Sequence, residues 1–261
     1  MVRIPAGSFH FVSRGVEIEG DAEPDGVGEQ YPWESHPSRA HDKVLDISAF
    51  DISRYPITTA QYADFLSATG YLPNDTSRWL HNWDWTAATP GGQPRLPTQA
   101  RKQPVVFVSL AEARGYCSWR GLRLPHSYEW QYAAQSNDSR PYPWGANSSG
   151  VGTKPAPMSG HEDPTPADVD ANPAGASPFG VRDLVGNVWQ YTDEFEDAHT
   201  RSCVLRGGSR YNIACSPPPI GNYRNWYFPQ AKTLFEHGKY LLMDDSYERS
   251  ATIGFRCVGD V

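Results

Sequence analysis

Between two well-patterned parts of this chain runs a segment, Asn137 to Ser177, dominated by Gly, Pro, Ser, Asn and Asp. Such a run cannot build a long helix, because Pro lacks an amide donor and Gly loses the most backbone freedom on ordering. It cannot supply a central strand for the same reasons. A disordered tail would share this composition, but a tail does not lie between patterned segments. The expectation is therefore a fixed loop, held by a metal or by aromatic packing. The bias recurs along the chain, with 23 Gly and 23 Pro in 261 residues, so elements must be short and connections many. Nine Trp, fourteen Tyr and ten Phe offset a hydrophobic fraction of only 39%, since each ring buries a large apolar area. The expected class is α+β and loop-rich, with short antiparallel strands and two or three main helices, and residues 1–261 read as one domain.

The punctuation of the elements is local. Residues 2–12 read as strand, Pro-Gly turn and strand, and residues 44–55 alternate as a half-buried strand pair does. Pro56 to Gly70 reads as a helix capped by Thr58 or Thr59 and stopped by Gly70. A loop with Trp79, Trp83 and Trp85 follows. Val105 to Val108 reads as a short apolar strand. Ser109 and Glu112 form a capping box for a helix through Arg120. Leu124-Pro125 opens the next helix, with Ser127 as its expected cap.

Charge excludes some functions. A formal net charge of -7 with no long Lys/Arg run gives nucleic acid no positive stripe to bind. No apolar run approaches the roughly 18 residues of a membrane span, and no signal peptide is visible. The expectation is a soluble protein that binds neither membrane nor nucleic acid, with the balance toward the cytoplasm.

Seven motifs occur in order: IPAGSF (4–9), FDISRYPITTAQYADFL (50–66), PVVFVSLAEARGYCSWRGLRLPHSYEWQYAA (104–134), YPWG (142–145), SPFGVRDLVGNVWQYT (177–192), VLRGGS (204–209) and IGFRCV (253–258). Each has a folding reason of its own. The adjacent glycines of RGGS, for instance, permit a bulge or a close backbone approach. Together they resemble the formylglycine-generating-enzyme or sulfatase-modifying-factor-like family, which includes the C-terminal domain of ergothioneine sulfoxide synthases. That resemblance implies a divergent C-type-lectin fold.

The resemblance also implies a calcium loop whose ligands would be Asp183, the carbonyls of Gly186 and Val188, and Gln190. Calcium accepts carbonyl and amide oxygens as well as carboxylates. The structural alternative is that Asp183 caps a turn while Gln190 bonds backbone across it. Cys117 and Cys257 match the positions of a family disulfide. The copper-binding C-x4-C pair of formylglycine-generating enzymes would fall after Ser209, where this chain has Asn212 and Pro217. Neither residue supplies a thiolate, which Cu(I) prefers. Cys215 is the one catalytic candidate left there. With Cys203 it forms a disulfide, two buried thiols or a soft-metal pair, in that order of preference. The helical-bundle domain and three histidines that hold iron in the ergothioneine-type relatives have no counterpart here, so neither copper nor iron is expected.

Family members place substrate-groove residues where this chain has Tyr223, Arg224, Asn225, Trp226 and Tyr227. With Tyr211 and the loop of Trp79 to Trp85, these form an amphipathic wall for a small molecule, peptide or glycan. The alternative is that these rings are simply core. The functional expectation is a ligand-binding or accessory module with a structural calcium ion. The competing one is an oxygen-dependent oxidoreductase acting on a thiol or amino-acid-derived substrate, with a partner domain or subunit supplying metal ligands.

Overall fold

The computed structural model describes residues 1–16, 40–86, 89, 91–146, 165–195, 202–209, 233–241 and 249–261. Among these, nine strands form two sheets and three α-helices pack beside them, which makes the class α+β. The strands are β1 (Val2–Ile4), β2 (Gly7–Val16), β3 (Ala40–Ile47), β4 (Phe50–Ile52), β5 (Trp189–Phe195), β6 (Ser202–Arg206), β7 (Glu236–Leu241), β8 (Ile253–Gly254) and β9 (Val258–Asp260). The small sheet runs β1-β4-β9 and brings the two ends of the chain together. The larger sheet runs β3-β2-β7-β6-β5-β8. Its pairs are antiparallel except β2 with β7 and β5 with β8, so the expected antiparallel order is relieved at two joints.

The helices carry the caps read from the sequence, with one shift. In α1 (Thr59–Thr69), Thr58 and Gln61 form a capping box and Gly70 closes the helix at φ 66°. In α2 (Leu110–Trp119), Ser109 and Glu112 do the same. In α3 (Ser127–Gln135), the cap is His126 rather than Ser127; the Glu129 carboxylate accepts from the His126 amide at 2.8 Å. Ser127 is instead the first helical residue, and its hydroxyl oxygen accepts from Arg206 Nε at 2.8 Å. No described helix is long and apolar enough to cross a membrane.

Val105 to Val108 is not a strand. It is a buried extended segment interrupted at Phe107, whose φ is 59°. Its amides bond outward to different segments, Val105 N to Ile57 O at 2.9 Å and Phe107 N to Ser250 O at 3.0 Å. Apolar side chains and a need for buried hydrogen bonds are met here without a ladder.

Two large apolar clusters result. One joins α1 and α2 through Tyr62, Phe65 and Tyr116 to Trp79, Leu205 and Phe255. The other joins β1, β2 and β4 to Trp130 and Tyr132 of α3 and to Val181 and Leu184. At the end of β6 the chain closes onto the second cluster through Gly207, whose φ is 94°. A Cβ there would collide with the Leu184 carbonyl oxygen and come within 3.3 Å of the Trp130 ring. Gly207→Ala is accordingly expected to cost about 1–3 kcal/mol through its left-handed backbone alone, with overpacking adding to it. Equilibrium urea unfolding at unchanged m-value measures this.

Candidate functional site

Three local structures bear on function: the turn before β5, the cysteine pair and the tryptophan loop. The turn comes first because the resemblance implies an ion there. Asp183 sits at φ 53° and Gly186 at φ 90°, so the chain reverses tightly. Asn187 pins the turn to the preceding segment, accepting from Ala167 N at 2.9 Å and donating to Ala167 O at 3.0 Å and to the Asp183 carboxylate at 2.9 Å.

Gln190 is wholly buried. Its Oε1 accepts from Trp130 Nε1 at 2.9 Å and from Arg256 Nε at 2.6 Å. Its Nε2 donates to the carbonyls of Asp183 and Leu184 at 3.1 and 3.0 Å. An amide has two acceptor and two donor positions, so Gln190 is saturated. Burial draws the pKa of Arg256 down to about 9, which leaves it cationic at neutral pH. A calcium ion held through Gln190 does not fit this arrangement: the amide oxygen already faces a cation. Among the described residues, no group of three or more His, Cys, Asp or Glu side chains is placed to hold a metal ion.

Cys117 of α2 and Cys257, just before β9, are joined by a disulfide with their Cα atoms 5.6 Å apart. Cys203 is buried on β6, with its thiol directed to the carbonyls of Thr192 and Val204 at 3.8 and 3.7 Å. Cys215, Asn212, Pro217, Tyr211 and the groove segment Tyr223, Arg224, Asn225, Trp226 and Tyr227 lie outside the described residues.

The tryptophan loop does form a recess, of about 520 Å³, lined by Trp79, Trp83, Trp85, Arg78, His81, Asp84, Thr76 and Thr86. Its rings are not equivalent. Trp79 and Trp83 are 0% and 5% exposed, and so belong to the core, whereas Trp85 is 36% exposed. Trp85 is held edge-on to Trp79 at 6.0 Å and donates from Nε1 to Leu80 O at 3.2 Å. The Trp83 indole N–H is buried with no acceptor among the described residues. Such a donor is costly unless something supplies an oxygen.

The recess is built on strain. Arg78, Leu80 and Phe107 all have positive φ (55°, 47° and 59°), and Leu80 N bonds Phe107 O at 3.0 Å. The Arg78 guanidinium lies over the Phe107 ring at 5.2 Å and His81 packs on its edge at 5.5 Å. Each such residue costs about 1–3 kcal/mol and persists only where its surroundings over-determine it. Here the surroundings are a buried ion pair. Arg249 donates to Glu112 at 2.6 Å and to the carbonyls of Asp75 and Ser77 at 2.7 and 2.8 Å, with both charged side chains 1% exposed. Glu112 was legible only as a helix cap, because its partner is 137 residues away.

A second recess, about 470 Å³, is walled mostly by residues of the motifs at 50–66 and 104–134, whose spacing pointed to helices and caps rather than to a cavity. It lies between the residues leading into α1 and the end of α2, with Arg54, Tyr55, Gln61, Tyr116 and Arg120 in its wall.

Residues 1–261 match the model of the family described as the sulfatase-modifying factor enzyme 1-like domain. The formylglycine-generating enzyme of Mycobacterium tuberculosis is 28% identical over 86% of this chain and 92% of its own length. The hercynine oxygenase of the same organism is 31% identical over 74% of this chain but only 52% of its own length, so this chain spans about half of that relative. Among solved structures, PvdO from Pseudomonas aeruginosa superposes with a TM-score of 0.60 at 21% identity, covering 99% of this chain and 93% of that one. The last likeness concerns the fold alone.

Proposed function

Since the chain belongs to the sulfatase-modifying factor enzyme 1-like domain family, we propose that it serves as a ligand-binding or accessory module of that family, with its site at the tryptophan recess. The observation that carries this reading is the recess itself. One solvent-facing ring, Trp85, stands beside Arg78, His81, Asp84 and two threonines, and the indole donor of Trp83, which lines the same recess, is buried with no partner among the described residues. An aromatic platform with polar groups at its rim suits a ligand with one apolar face and hydrogen-bonding edges. A small molecule, a peptide or a glycan presents such a surface. The sequence supports the same reading, because Asn212 and Pro217 stand where the resemblance would require copper-binding thiolates.

Trp85→Ala is expected to weaken ligand binding by roughly tenfold, about 1.4 kcal/mol. Some loss of melting temperature accompanies it, because the ring also packs on Trp79 and bonds Leu80 O, so affinity is compared well below the variant's own melting temperature. Titration calorimetry against hits from an amino-acid-derivative, peptide and glycan panel measures it. Unchanged affinity in Trp85→Ala would place the site elsewhere.

A second reading rests on the hercynine oxygenase likeness and its partial coverage. In it, the chain is the substrate-binding half of an oxygen-dependent oxidoreductase whose metal ligands come from another domain or subunit. Stoichiometric iron or copper in protein co-purified with a partner would favour it.

A further inference from the structure

We propose that the Arg256 guanidinium is the resident cation of the turn at residues 182–190, so that this turn is ordered by an internal charge and does not take up calcium. A structural ion in a loop gathers oxygens from segments that would otherwise repel one another. Arg256 does that here. It donates to Ser53 O from Nη1 at 3.0 Å, to Arg182 O and Asp183 O from Nη2 at 3.0 and 2.9 Å, and to Gln190 Oε1 from Nε at 2.6 Å. Four oxygens from the end of β4, the turn and the start of β5 thus converge on one planar cation, whose fork suits several acceptors at once.

Gln190 completes the arrangement in a way that a carboxylate cannot. Its Nε2 must donate to two carbonyls, Asp183 O and Leu184 O. A glutamate there would turn an acceptor toward both, and the favoured way to relieve that crowding of oxygens is a cation between them. The amide removes the need. The turn and the charge that fills it lie in two separate motifs of the chain, SPFGVRDLVGNVWQYT and IGFRCV.

The test uses the whole chain, stripped with chelator and dialysed. Its melting temperature is measured in excess chelator and in millimolar calcium, with Asp183→Ala run alongside. An ion bound to the folded state at about a hundred times its Kd would raise the melting temperature by several degrees. The expected shift for the unmodified chain is within about 1 °C, too small for such linkage. A rise of several degrees that disappears in Asp183→Ala would overturn the proposal. A rise retained both in Asp183→Ala and in Asp183→Ala with Gln190→Ala, which removes both side-chain ligands of the implied site, would support it by locating the ion away from this turn. Gln190→Glu provides an independent arm. It is expected to melt lower than the unmodified chain in chelator, and an equal or higher melting temperature there would count against the role given to the amide.

Discussion

Truncating Glu112 to alanine is expected to destabilise the protein by about 3–5 kcal/mol, because it leaves a buried guanidinium without its counter-charge. The carboxylate accepts from Arg249 through both oxygens, at 2.6 and 3.3 Å, and from the Ser109 amide at 2.7 Å. Neither side of the pair has water to fall back on, since each is 1% exposed. Loss of the helix cap adds about 1 kcal/mol to the same variant. The consequence reaches the recess, because Arg249 also holds the carbonyls of Asp75 and Ser77 at the start of the tryptophan loop. Urea unfolding gives the energy, and near-ultraviolet circular dichroism reads the tryptophans. The paired replacement Glu112→Leu with Arg249→Met is expected to recover only part of the loss, because it removes the stranded charge but leaves the carbonyls of Asp75 and Ser77 and the Ser109 amide without these partners. A loss below about 1 kcal/mol in Glu112→Ala would mean that the pair is screened by solvent.

What could be read in the sequence was what local chemistry decides. Thr58 (one of the two threonines read as the cap), Ser109 with Glu112, and Gly70 each act within one helical turn and are found in their expected roles, while Gln61 as the second half of the first capping box was not read from the sequence. The adjacent glycines of RGGS permitted a bulge or a close backbone approach, and it is the second that Gly207 makes, against Leu184. The misreadings lie where a distant residue decides. Ser127 does not cap α3, and its hydroxyl is taken by Arg206, 79 positions on. Residues 105–108 have strand-like side chains, but Phe107 finds its amide partner at Ser250 and the backbone turns to reach it. For Gln190 the sequence left two readings open, an ion ligand or a bond across the turn; its Nε2 makes the second, and Arg256, 66 residues away, donates to its oxygen. Residue periodicity carries no term for such partners. The candidate site divides similarly. The tryptophan loop was legible from spacing, whereas its support by Arg249 and the left-handed backbone at Arg78 and Leu80 was not.

Replacing both Cys117 and Cys257 by alanine is expected to lower stability by about 2–5 kcal/mol, the usual worth of a native disulfide. The bond spans 140 residues of sequence, so the unfolded chain loses a large loop constraint when it is cut. The folded state should survive. Cys257 O also accepts from the Ser53 amide at 2.9 Å and from its hydroxyl at 3.0 Å. Beyond it, Val258 and Arg123 exchange two backbone bonds at 2.8 and 2.9 Å. The energy therefore appears mainly through the denatured ensemble, and two signatures separate that from a packing defect. The m-value should rise, because an uncrosslinked chain exposes more surface on unfolding. Both cysteines are fully buried, so reductant added to the native protein should act only as fast as the structure opens. Unfolding curves that coincide with and without reductant, after full equilibration, would mean that the thiols stand unbridged in solution, as expected in a reducing compartment. A midpoint that falls with reductant would show that the bridge is formed and stabilises the fold.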